Sequence, residues 1–95
     1  MIPKEDIEKA IDLAKKHGAG KLYVFGSSLH KSPENTNDYD FAISDLPPGN
    51  FFRFYGQLFM AMPKSVDLID LTGRTDKFAK IVLSEGRLVY DKRTV

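Results

Sequence analysis

Apolar residues recur at helical spacing through the first segment: Ile7, Ala10, Ile11 and Ala14 share one face, while Lys4, Glu5, Glu8, Lys9, Asp12 and Lys15 occupy the others. That pattern predicts an amphipathic helix, with Pro3 suited to its first turn and Gly18 to its stop. Lys21–Phe25 is short, β-branched and aromatic and ends abruptly at Gly26, which predicts a buried strand. The polar stretch from Ser27 to Asn37 reads as a loop with one helical turn after Ser27. From Asp38 to Ser44 the period changes to two, with Asp38, Asp40 and Ala42 on one face and Tyr39, Phe41 and Ile43 on the other. This is a second strand, with one acidic face.

Pro47, Pro48 and Gly49 break that strand, and Asn50 is placed to cap a helix that runs from Phe51 to Met62 and stops at Pro63. The apolar positions of this helix read as core, yet they wrap more of its circumference than one sheet contact requires, which leaves some of them open to binding another chain. Val66–Leu71 predicts a third strand, and a last helix from about Asp76 to Ser84 stops at Gly86 before a closing strand, Leu88–Tyr90. The alternation implies an α/β (α+β) fold, with a mixed sheet of about four strands and helices packed on it, in one domain over residues 1–95. The segment between the first two strands is long for a hairpin and carries no convincing crossover helix, so an antiparallel or mixed pair is expected there.

Composition narrows the chemistry. Fourteen Lys and Arg against thirteen Asp and Glu leave a net charge of +1, with no strong field to attract nucleic acid. With no cysteine and only His17 and His30, a thiolate or histidine-rich metal cage is excluded, so any bound ion must sit on oxygen ligands. The charged first sixteen residues do not read as a signal peptide, and no apolar run approaches the roughly 18 residues of a membrane span. A cytoplasmic protein is the expectation.

Gly26-Ser27, then Asp38-Tyr39-Asp40, then Asp67 on a later strand form the strongest local feature. Carboxylates at i and i+2 of a strand point the same way, about 6–7 Å apart at Cα, and their oxygens can converge on one cation. Without a cation the like charges repel, so the arrangement makes sense if divalent ions bind. Gly26 permits close backbone approach, and Ser27 offers a hydroxyl and an amide suited to phosphate. Asp67 can add a third ligand and accept the proton of an attacking hydroxyl. Ser27 also suits a helix N-cap, and Asp70, facing away from Asp67, reads as a capping or surface acid.

These residues resemble the minimal nucleotidyltransferase (MNT) family of the DNA polymerase β-like superfamily. Its pattern of Gly-Ser, a loop, Asp-x-Asp followed by apolar residues, and a later apolar-Asp-apolar-apolar stands here as Phe25-Gly26-Ser27, Asp38–Ile43 and Val66–Ile69. The closing Glu85–Tyr90 segment also looks like the end of such proteins. The resemblance implies a polymerase β palm-like fold, with Gly26 and Ser27 holding a nucleoside triphosphate and Asp38, Asp40 and Asp67 forming a catalytic site for two magnesium ions. It further implies transfer of a nucleoside monophosphate, AMP from ATP being the expected case, to an acceptor hydroxyl. Many members carry an Arg-Gly pair where this chain has His30 and Lys31, and a Ser where it has Asn37. His30 and Lys31 are candidate phosphate contacts. So small a chain has little protein left for an acceptor pocket, which makes a partner protein the expected acceptor. By resemblance that partner is a small helical HEPN-type toxin, neutralised by this chain as antitoxin; a homo-oligomer is also open. The alternative is a catalytically degenerate module of the same fold that acts by protein binding.

Overall fold

The computed structural model describes residues 2–35 and 38–94, apart from the Pro33 side chain; Asn37 lies outside the described residues. The expected alternation is present. Helix α1 spans Lys4–Lys16, strand β1 Lys21–Val24, the short helix α2 Ser27–His30, strand β2 Asp38–Ser44, helix α3 Phe51–Ala61, strand β3 Ser65–Asp70, helix α4 Lys77–Glu85 and strand β4 Arg87–Asp91. Single 3-10 turns cover Pro33–Asn35 and Lys92–Thr94. The four strands form one mixed sheet in the order β3-β2-β1-β4. β1 pairs antiparallel with both β2 and β4, while β2 and β3 run parallel. A parallel pair needs a crossover, and α3 supplies it.

The two faces of β2 divide the interior. Tyr39, Phe41 and Ile43 are buried in the main core beneath α1 and α3, where Ala10, Ala14, Phe54 and Leu58 meet them. On the opposite face Ala42 joins Tyr23 and Leu71 under Ala79 and Val82 of α4. The acidic face of β2 is therefore the α4 side of the sheet, at the end α4 leaves open. Element ends shift by a residue or so from the sequence reading: β4 gains Arg87 and Asp91, and β3 starts at Ser65. Asn50 does not cap α3 with its side chain; its amide Nδ2 donates to the His17 carbonyl at 2.8 Å, tying the end of α1 to the start of α3. Among the described residues no helix is long and apolar enough to cross a membrane.

One buried polar contact has a pH signature. The Tyr39 hydroxyl donates to Asp6 Oδ2 at 3.0 Å, with both residues buried. Burial first, then the hydrogen bond to Asp6 and its charge, pushes the Tyr39 phenol up from 10.0 to about 12. The neutral phenol is thus the form the fold favours, so its contribution is complete below about pH 10 and is lost as pH rises towards 12. Tyr39→Phe leaves a buried carboxylate without its donor and is expected to cost about 1–3 kcal/mol at pH 7. Urea midpoints should show the variant converging on wild type between pH 10 and 12; parallel curves would count against the account.

Candidate active site

β1 delivers the chain to the site. Beyond Val24, the Phe25 amide still donates to the Asp40 carbonyl at 3.1 Å, holding the strand end against β2. Gly26 then turns with φ 63° and ψ −147°, a region open in practice to glycine alone. A Cβ at this position would stand 2.8 Å from Asp40 Oδ2. The turn has to be bare because a carboxylate occupies the space a side chain would need.

α2 begins at once, with Ser27 as its first residue and Gly26 at the cap position, so Ser27 is not the side-chain N-cap. Its hydroxyl is exposed and lies 3.5 Å from Asp40 Oδ2. Ser28 points inward and is fully buried. Its hydroxyl accepts the Asp40 amide N–H at 2.8 Å and donates to the Asp38 carbonyl at 3.2 Å. One side chain thereby fixes the backbone of both acids. The sequence reading missed Ser28, whose only signal is a second serine after Gly26.

The parallel register sets Asp40 directly opposite Asp67, with Asp38 two residues back along β2 on the same face. Asp38 and Asp67 are exposed, and Asp40 is half-buried. Burial, then the charges of Asp67 and Asp38, push the Asp40 carboxyl above its ordinary value, partly offset by the Ser27 and Ser28 hydroxyls. Gly26, Ser27, Asp38, Asp40 and Asp67 are therefore brought to one end of one sheet face. His30 and Lys31 follow one helical turn after Ser27 and are both exposed. Asp70 belongs elsewhere: its Oδ1 accepts the Thr72 amide and caps a turn.

Among the described residues no three acidic or imidazole side chains are gathered closely enough to hold a cation as they stand. The acids form an open face rather than a cage. That suits magnesium, which keeps several waters and shares its coordination with substrate phosphates. The donor set fits, being all carboxylate oxygen, and a cation would offset both the burial that raises Asp40 and the repulsion from Asp67 and Asp38 that adds to it. A surface hollow of about 190 Å³ lies at the far end of β1, between Gly18, Lys21, Asp45 and Arg93, away from these acids.

The family model for polymerase β nucleotidyltransferases matches residues 8–94, and the chain belongs to that family. No curated protein sequence matches it. Among solved structures, a chain of the MntA-HepT toxin-antitoxin crystal structure is 20% identical, with a TM-score of 0.71 over 97% of this chain and 75% of that one. A toxin-antitoxin structure with AMP-PNP is 23% identical, with a TM-score of 0.71 over 93% of this chain and 75% of that one. A chain of the structure of the tri-AMPylated Shewanella oneidensis HEPN toxin in complex with MNT antitoxin is 20% identical, with a TM-score of 0.69 over 96% of this chain and 74% of that one. At such identities the likeness is one of fold, and it matches the expected mixed four-stranded nucleotidyltransferase sheet with its helices.

Proposed function

We propose that the chain is a magnesium-dependent nucleotidyltransferase that moves AMP from ATP to a hydroxyl of a partner protein. The observation that carries this reading is the direct pairing of Asp40 with Asp67, with Asp38 beside them, under a glycine turn where a Cβ would press on the Asp40 carboxylate. Gly26 and Ser27 receive the triphosphate, and His30 and Lys31, exposed one helical turn on, are the candidate further phosphate contacts. Asp38, Asp40 and Asp67 would hold two magnesium ions, which supply charge neutralisation on the phosphate oxygens when bound. The acceptor oxygen bonds to the α-phosphorus, the bond from that phosphorus to the bridging oxygen breaks, and pyrophosphate leaves. Asp67, exposed at the end of the row, takes the acceptor proton.

The neighbours support a helical HEPN toxin as the partner and an antitoxin role for this chain, since AMPylated toxin and bound AMP-PNP occur among them. Cytoplasmic ATP would then be the donor.

Calorimetric titration of ATP, and then of the other nucleoside triphosphates, with and without magnesium, tests the site without knowledge of the acceptor. Binding is expected to require magnesium and to weaken at least about tenfold in Asp40→Asn. The same variant has a second readout. Because the folded site raises Asp40, ionising it costs native stability, and that cost grows as pH rises through the carboxylate range. Asp40→Asn should therefore be as stable as wild type or more so at pH 7 without a cation, while losing stabilisation by magnesium. Magnesium-dependent ATP binding unchanged in Asp40→Asn would sink the assignment. Absence of nucleotide binding would make a non-catalytic binding module the first reading.

A further inference from the structure

α3 turns one side to the core and leaves the other bare. Phe54 and Leu58 are fully buried, whereas Phe52 and Met60 are 83% and 87% exposed and Phe59 is 49% exposed. Large apolar side chains left this open on one helix mark a surface that another chain covers. Between them sits Gly56, exposed, in the middle of an 11-residue helix, with nothing within 4 Å of where its Cβ would stand. Glycine weakens a helix interior, and among the described residues no neighbour requires it here. What it provides is a notch of bare backbone between Phe52 and Met60, where a second helix axis can come close.

The spacing about Gly56 is symmetric in kind. Phe52 stands four residues before it and Met60 four after; Arg53 stands three before and Phe59 three after. We propose that this face is the contact between two copies of the chain, packed about a two-fold axis with the two α3 helices antiparallel and crossing at Gly56. A two-fold contact uses one patch twice, so each residue before the crossing meets one after it. Phe52 then meets the partner's Met60, an aromatic ring against a thioether, and Arg53 lies over the ring of the partner's Phe59.

Charge fits the same arrangement. From Leu46 to Val66 the chain has no acidic residue, and Arg53 is the sole charge on α3. The two Arg53 side chains start about 9 Å apart along the axis and are directed to rings rather than to each other. A large side chain presents roughly 200 Å², so Phe52, Phe59 and Met60 expose about 400 Å² per copy. With the flanking residues the pair buries on the order of 1,000 Å², the small end of specific interfaces, which implies association at micromolar rather than nanomolar concentration. The acids lie on the opposite face of the sheet and stay open in such a dimer.

Sedimentation velocity from about 5 to about 500 µM tests this on the whole chain. Wild type is expected to pass from monomer to dimer across that range. Phe52→Asp and Gly56→Leu should each raise the dissociation constant at least about tenfold. Circular dichroism should show both variants folded, and Gly56→Leu, with its better helix former, should melt higher as a monomer. A monomer at every concentration, or a dimer that both substitutions leave unchanged, overturns the proposal. In the first case the face belongs to a chain of different sequence, and the reading of the acid site is unaffected.

Discussion

Gly26→Ala is expected to lower nucleotide transfer by about 10²-fold or more while leaving a folded protein. Two penalties fall on the same atom. The backbone at φ 63° and ψ −147° costs an alanine about 1–3 kcal/mol of strain. The new methyl group would also stand 2.8 Å from Asp40 Oδ2, so either the turn or the carboxylate must move. Asp40 is held by its own backbone, through the Phe25 amide on its carbonyl and the Ser28 hydroxyl on its N–H, so its side chain rotates first. That rotation spoils the row of acids, and misplacement of about 1 Å at a reacting centre is worth roughly 10²-fold. Gly73→Ala is the control. Its φ of 71° is likewise positive, but open space surrounds the new methyl group. Some loss of stability in both variants, with magnesium-dependent ATP binding lost only in Gly26→Ala, is the expected pattern. Equal binding in both variants would show that the turn does not shape the site.

The site was legible where the chemistry is carried by residue type and short spacing. Period-two alternation over Asp38–Ser44 was enough to put Asp38 and Asp40 on one face and Tyr39, Phe41 and Ile43 in the core, because strand geometry fixes it locally. Spacing along the chain does not specify the register between strands. That Asp67 faces Asp40 directly depends on β2 and β3 running parallel, which the α3 crossover decides. Ser28 escaped notice for a related reason: a serine in a polar turn reads as solvated, and only the packing of α2 against β2 buries it. Asn50 does stand at the cap position its type suits, and its carbonyl accepts the Phe54 amide, but its side chain ties α3 to the distant His17 carbonyl, a contact that spacing along the chain does not specify. The width of the α3 apolar surface was visible in the sequence, whereas the division into a buried Phe54-Leu58 side and an open Phe52-Met60 side needed the sheet in place.

Ser28→Ala should cost both stability and transfer, and comparison with Ser28→Thr separates the two. The hydroxyl joins the Asp40 amide and the Asp38 carbonyl to α2, at 2.8 and 3.2 Å. Alanine leaves that part-buried amide and carbonyl without the hydroxyl, at about 0.5–1.5 kcal/mol for a lost hydrogen bond. Freed of the link, the first residues of β2 can shift relative to the Gly26 turn, and the two carboxylates shift with them. Transfer is expected to fall about 10–100-fold, with weaker ATP binding in the presence of magnesium. Threonine keeps the hydroxyl but forces an extra methyl group into a fully buried position, costing about 1–3 kcal/mol through overpacking. If Ser28 positions the acids, Ser28→Thr retains most transfer at a stability similar to that of Ser28→Ala. If its role is only to hold the fold, transfer tracks the urea midpoint in both variants alike. The second outcome would remove Ser28 from the site and leave the placement of Asp38 and Asp40 to strand pairing alone.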